Sequence, residues 1–173
     1  VATLAWNGYR HFELYYAISG IGAVCHTINP RLSAEQMIYI INHAGDSIIC
    51  VDLTFVPILE AIKDKVPSNI KYIIMTDWDH MPDTILENVL CYEEVLDKGD
   101  SNIEWPEFPE ETASSLCYTS GTTGNPKGSL YTHRSTVLHS LTAGISFPET
   151  MRAGVRILPV VPLFHVNAWG LAY

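Results

Sequence analysis

"LSAEQMIYIINHAGDSIICVD", Leu32–Asp52, is the stretch from which the fold is read. Ser33 followed three residues later by Gln36 is a capping box, which predicts a helix opening at Ala34. Met37, Ile38, Ile40, Ile41 and Ala44 then fall on one face at helical spacing. Gly45 stops that helix, and "SIICVD" (Ser47–Asp52) follows as a short continuous apolar run. Such a run is what a strand buried on both faces looks like.

The same alternation extends in both directions. Upstream, "ATLAWN" (Ala2–Asn7) reads as a strand, and "HFELYYAISGIGAV" (His11–Val24) as a helix fading at Gly20–Gly22. "VCHTIN" (Val24–Asn29) reads as a strand closed by Pro30. Downstream, Asp52 or Thr54 caps a helix whose apolar face is Val56, Leu59, Ile62 and Val66, and "IKYIIMT" (Ile70–Thr76) is another strand. Residues 77–113 are rich in Asp, Glu and Pro, with one short helical piece, "YEEVLDKG" (Tyr92–Gly99), and read as a long surface excursion. Beyond it come a strand, "SSLCYTS" (Ser114–Ser120), a Gly/Thr loop, and a strand, "SLYTH" (Ser129–His133). A helix over Arg134–Ala143, a strand "RILPVV" (Arg156–Val161) and "PLFHVNAWGLAY" (Pro162–Tyr173) complete the chain. Strand–helix alternation predicts an α/β fold, a mostly parallel sheet with flanking helices. No internal repeat or low-complexity tract interrupts it.

The 173 residues suffice for one core-bearing domain. Val1 is not an initiator methionine and Tyr173 falls inside the apolar "AWGLAY", so a piece of a longer protein is expected. A net charge of −9 argues against a nucleic-acid partner, which wants dense Lys and Arg. It leaves room for a small anionic ligand served by a few local donors. Cys25, Cys50, Cys91 and Cys117 are widely spaced with no C-x-x-C pair, and read as buried free thiols of a reducing, cytoplasmic setting. No apolar run approaches the ~20 residues that span a bilayer, and no signal peptide is visible.

The loop after Tyr118 carries the chemistry. Gly121 and Gly124 permit positive φ and close backbone approach. Successive N–H groups in such a turn can form an anion-binding nest. Thr119, Ser120, Thr122 and Thr123 add hydroxyl donors, Lys127 adds a cation, and Pro126 stiffens the approach to it. This is not a Walker A loop: Pro126, not glycine, precedes the lysine, and Gly128, not a hydroxyl, follows it. Composition alone leaves two readings, a phosphate cradle and a plain turn between strands.

The complete string "YTSGTTGNPKG" (Tyr118–Gly128) resembles the phosphate-loop signature of the adenylate-forming superfamily. That superfamily includes acyl-CoA synthetases, firefly luciferase and peptide-synthetase adenylation domains. Gly22–Asp52 and "VPLFHVNAW" (Val161–Trp169) resemble the corresponding segments of medium- and long-chain fatty acyl-CoA ligases. Ser129 departs from the β-branched apolar residue usual there, which bears on strand packing after the loop. The resemblance implies that residues 1–173 are part of the large N-terminal AMP-binding domain. It implies a two-step reaction with ATP, Mg²⁺ and coenzyme A: a carboxylic acid, most simply a fatty acid, becomes an acyl adenylate with release of pyrophosphate, then a thioester. It assigns Thr119, Ser120, Gly121, Thr122, Thr123, Gly124 and Lys127 to the phosphates, and Thr119 also to Mg²⁺.

His165, Val166 and Trp169 follow a β-like run, where ligand-contacting loops of open α/β sheets lie. If the segment opens a helix, His165 and Trp169 share a face. By residue type alone they are packing residues. The resemblance makes them the wall of the carboxylate and acyl pocket, with His165 orienting the carboxylate or adenylate. The remaining histidines, His139 among them, show no shared pattern, and His133 reads as first-turn packing of the following helix. The family's Tyr-Gly-x-Thr-Glu motif, ribose aspartate and C-terminal-domain lysine have no counterpart in these residues. No catalytic residue is therefore assigned here, and residues 1–173 alone are not expected to form an acyl adenylate. Rival readings are a ligase for a small acid such as 3-methylmercaptopropionate, a non-catalytic nucleotide- or acyl-binding relative, and a module of a carboxylate reductase or peptide synthetase. Assembly, as a homodimer or otherwise, stays open.

Overall fold

The computed structural model describes residues 1–119 and 124–173. Among these described residues seven strands form one sheet: β1 (Ala2–Leu4), β2 (Cys25–Thr27), β3 (Ile48–Val51), β4 (Lys71–Ile74), β5 (Val89–Cys91), β6 (Ala113–Thr119) and β7 (Lys127–Thr132). Their spatial order is β5-β4-β3-β1-β2-β6-β7. Every neighbouring pair is parallel except β6 and β7, which form an antiparallel hairpin at one edge. The expected mostly parallel α/β sheet is what forms.

Helices α2 (Ala34–Ala44) and α3 (Val56–Ile62) cover one face. Met37, Ile40 and Ile41 of α2 and Leu59 and Ile62 of α3 pack there on Leu4, Ile49, Val51 and Ile74. The other face takes α1 (Tyr9–Gly20), whose Leu14, Tyr15 and Ile18 meet Cys25, Cys50, Met75 and, from the end of the chain, Leu163, Ala168 and Ala172. The capping box forms as read: Ser33 Oγ accepts from the Gln36 N–H at 3.3 Å and Gln36 Oε1 from the Ser33 N–H at 3.2 Å. Gly45 ends α2 at φ +67, a conformation that suits glycine. All four cysteines are free and buried.

Four expectations are corrected. Neither Asp52 nor Thr54 caps α3. Asp52 accepts from the Trp6 N–H at 2.6 Å and Thr54 Oγ1 from the Trp6 indole at 3.1 Å, while a 3₁₀ turn over Leu53–Phe55 leads into the helix. Residues 77–113 are more than a surface excursion: β5 pairs with β4, while the short helical piece expected after it forms as α4 (Tyr92–Asp97). The same stretch returns under α1, where a Cβ on Gly20 would run into the Trp105 ring. "RILPVV" forms no strand: residues 156–161 pair with no strand of the sheet, and Pro159 supplies no N–H. Residues 165–169, finally, do not open a right-handed helix. Among the described residues no helix is long and apolar enough to cross a membrane.

Candidate functional site: a loop and a cavity on one hairpin

The β6–β7 hairpin joins two features. Thr119, the last residue of β6, pairs in register with Lys127, the first of β7, at the carboxyl end of the parallel strands. That end is where open α/β sheets bind ligands. The Thr119 hydroxyl donates a long 3.5 Å bond to the Lys127 carbonyl, and both side chains are exposed. Pro126 is buried at the base of the loop, and Gly124 holds φ +97 with nothing near the position of a Cβ. Ser120, Gly121, Thr122 and Thr123 lie outside the described residues, and so do the assignments made for them.

Four residues back along β6, about 13 Å at strand rise, Ser115 pairs with Tyr131 and faces the second feature. Alternation puts Ser115, Cys117 and Thr119 on the same face of the sheet. A cavity of about 460 Å³ opens there. Ser115 and Tyr131 line it from the hairpin; Ser135, Thr136 and His139 line it from α5 (His133–Ser146); Val166, Asn167, Trp169 and Gly170 line it from the end of the chain. A larger cavity of about 640 Å³ lies between α1, Trp105, Phe108 and α5, but none of the residues assigned to ligands from sequence lines it. We therefore place the candidate site at the hairpin.

The wall formed by 166–170 has an unusual backbone. Val166, Asn167, Ala168 and Trp169 hold φ of +48, +50, +49 and +58, and Gly170 follows at +73. A left-handed turn costs a non-glycine residue roughly 1–2 kcal/mol, so the surroundings must hold it. Asn167 is the clamp. Its Oδ1 accepts from Thr27 Oγ1 on β2 at 3.0 Å and its Nδ2 donates to Ser115 Oγ on β6 at 3.0 Å, both in the interior. His139 Nε2 lies 2.9 Å from the Trp169 carbonyl. Tyr15 and Tyr16 donate their hydroxyls to the carbonyls of Leu163 and Ala172. Burial raises both phenols above their ordinary values, which keeps these donors protonated. Asn7 accepts from the Leu163 N–H at 2.7 Å and donates to the carbonyls of Pro159 and Val161.

Of the residues read from sequence, Val166 and Trp169 come together on the cavity, with Trp169 67% exposed. His165 is exposed and does not line it; its backbone N–H donates to the Pro162 carbonyl and its backbone carbonyl accepts from the Ala168 N–H, each at 3.0 Å. Asn167 and His139 went unassigned. A signal for Asn167 existed, since one amide in an apolar string must find partners if it is buried. His139 gave none, because its importance comes from a carbonyl thirty positions away.

The exposed ammonium, the Thr119 hydroxyl and the left-handed glycine are compatible with a polyphosphate. Among the described residues no group of three or more His, Cys, Asp or Glu side chains could hold a metal ion. Thr119 is then a single hydroxyl where Mg²⁺ wants near-octahedral oxygen, so the described residues do not by themselves build a Mg²⁺ site.

Comparison with known proteins speaks to the family and the fold. The family model described as "AMP-binding enzyme" matches residues 1–173. The chain is 52% identical over 174 residues to a medium-chain-fatty-acid–CoA ligase of Ectopseudomonas oleovorans, covering 99% of this chain and 32% of that protein. It is 51% identical over 173 residues to a 3-methylmercaptopropionyl-CoA ligase of Ruegeria lacuscaerulensis, covering 100% of this chain and 32% of that one. The crystal structure of an anthranilate CoA ligase in complex with anthranoyl-AMP shares the fold, with a TM-score of 0.78 and 20% identity over 99% of this chain and 33% of that one. The chain thus spans about a third of the length of the curated relatives it matches. A mostly parallel α/β sheet, matched from first residue to last by one family model, places the chain in the AMP-binding enzyme family.

Proposed function

We propose that residues 1–173 are part of the N-terminal AMP-binding domain of an ATP-dependent acyl-CoA synthetase. In the first half-reaction a substrate carboxylate oxygen bonds to the α-phosphorus of ATP and pyrophosphate departs. In the second, the coenzyme A thiol attacks the acyl carbon and AMP departs. The observation that carries this reading is the shared hairpin, with the loop at its tip and the cavity on the same face of its stem.

On this reading Thr119, Gly124 and Lys127 hold the β- and γ-phosphates, together with Ser120, Gly121, Thr122 and Thr123. Fixed N–H dipoles and one ammonium then meet the charge that builds on departing pyrophosphate. Thr119 would offer its hydroxyl to Mg²⁺, which, bound with ATP, would supply charge neutralisation of the phosphates. Val166 and Trp169 wall the acyl group, an apolar and aromatic surface suited to an alkyl chain. Asn167 positions that wall, and His165 orients the carboxylate at its edge. No proton transfer is assigned to any of them.

Relatives named for a medium-chain fatty acid and for 3-methylmercaptopropionate are almost equally similar, so the acid is to be read from experiment. The test is pyrophosphate release by the full-length protein with ATP and coenzyme A, scanned over straight-chain acids of increasing length and 3-methylmercaptopropionate. Acid-dependent release with thioester formation supports the proposal. ATP binding with no turnover on any acid contradicts it and favours a non-catalytic relative.

A further inference from the structure

The two ends of the loop motif, Tyr118 and Gly128, face away from the cavity. They pair in register across the hairpin. A Cβ on Gly128 would sit 3.3 Å from Tyr118 Cζ and 3.1 Å from Leu116 Cδ1, so the bare glycine lets the Tyr118 ring lie across β7. The Tyr118 hydroxyl lies 2.7 Å from Nδ1 of His43, in the last turn of α2. Tyr39, one turn earlier, stacks on the His43 ring at 5.3 Å and 26°. Beneath Tyr118 is His26, 5.2 Å between ring centroids, fully buried on β2 and held through Nδ1 by Asp46 at 2.7 Å. Asp46 follows Gly45, the left-handed residue that ends α2.

We propose that His43 and Tyr118 are positioning residues for the phosphate loop, with the Asp46–His26 pair as their buried support. The inference rests on the reading that the loop binds ATP phosphates. A loop of glycines and hydroxyls can order its donors only if its legs are fixed, since each ordered residue costs conformational entropy. The first leg is Tyr118, immediately before Thr119. Its ring covers the second leg at Gly128, immediately after Lys127. One hydroxyl-to-imidazole bond therefore ties both legs to the C-terminal turn of a helix that the core holds rigidly. Burial, with the Asp46 charge nearby, raises the Tyr118 phenol above its ordinary value, so it stays protonated as the donor to His43. Both residues act through the loop and touch no reacting atom.

The test uses the full-length protein with Tyr118→Phe, His43→Ala and His43→Asn, the last keeping an acceptor where Nδ1 stood. Calorimetric affinity for MgATP, the KM for ATP, the KM for the acid, thioester formation from supplied acyl adenylate, and the thermal midpoint are measured for each. Tyr118→Phe and His43→Ala are expected to weaken ATP binding and raise its KM by roughly three- to tenfold, the scale of one lost hydrogen bond. The acid KM and the thioester half-reaction should stay within about twofold, and His43→Asn should recover most of the loss. ATP affinity unchanged in Tyr118→Phe overturns the inference. So does a loss that falls equally on ATP, acid and thermal midpoint, which marks a purely structural contact. A wild-type protein that binds no ATP overturns the phosphate reading as well, whereas normal wild-type adenylation with insensitive variants overturns this inference alone.

Discussion

Replacing Asn167 by alanine should release the wall of the cavity while leaving the loop intact. Asn167 is 5% exposed, and its amide joins two buried hydroxyls, Thr27 Oγ1 and Ser115 Oγ, at 3.0 Å each. Removing it deletes two hydrogen bonds and strands two hydroxyls in the interior, a loss of about 2–4 kcal/mol. Opposing that clamp is the left-handed backbone of Val166–Trp169, four residues whose conformation costs roughly 1–2 kcal/mol each. That backbone cost, about 4–8 kcal/mol in all, is larger than what the clamp supplies, so without Asn167 the turn should open locally rather than unfold the domain. The assay is hydrogen exchange over 163–173, where the amides of His165, Ala168, Leu171 and Tyr173 are bonded at 3.0–3.1 Å. A loss of 2–4 kcal/mol corresponds to roughly 30- to 800-fold faster exchange in that segment if opening is local. The acid KM should rise with it, and the KM for ATP should stay within about twofold. Unchanged exchange over 163–173, or acceleration spread evenly over the sheet, would refute the clamp.

Other perturbations separate the parts of the site. Trp169→Ala should shift the acid-length profile more than it weakens ATP binding; an unchanged profile with ATP affinity lost would move Trp169 out of the acyl wall. Gly170→Ala combines φ +73 with a Cβ that would lie 2.6 Å from His139 Cδ2, so it should raise the acid KM by displacing the His139–Trp169 contact. An unaltered acid KM would show that the contact does not shape the cavity. His11 is buried between Thr3 Oγ1 at 2.9 Å and the Trp6 carbonyl at 3.0 Å, and desolvation lowers its pKa from 6.5 to about 4. Its folded pKa lies below its unfolded one, so the unfolded chain binds the extra proton between those values. Stability should be full above pH 6.5 and fall as the pH drops towards 4, by about 3 kcal/mol at most. Urea midpoints against pH check this, and His11→Gln should flatten the slope; equal slopes in the two proteins would exclude His11 as its source.

How much of this was legible in the sequence follows from how local each signal is. The capping box of α2, its left-handed stop and the buried strand β3 are fixed by neighbouring residues, and all form as read. Asp52 and Thr54 failed as caps because Trp6, distant in sequence, takes both side chains. β5 was missed because three residues on an edge show no period, and "RILPVV" was overread because β-propensity reports burial that this segment does not get. At the site, Gly124 was readable because a left-handed turn needs glycine. The run Val166–Trp169 was not, since only the Asn167, His139 and tyrosine contacts from four other elements make that backbone tenable.

The central claim is that the hairpin loop grips the departing phosphates, and the two half-reactions measured separately test it most directly. In the full-length protein, Gly124→Val should nearly abolish acyl-adenylate formation, because a β-branched side chain opposes the φ of +97 and blocks phosphate approach. Lys127→Ala should slow it less, being one contact among several, and Thr119→Ala should slow it and weaken its Mg²⁺ dependence. Thioester formation from supplied acyl adenylate should remain within a few-fold of wild type in all three, because pyrophosphate has already left. If the folded variants lose thiol transfer as severely as adenylation, the loop shapes the whole site and the phosphate grip is wrong.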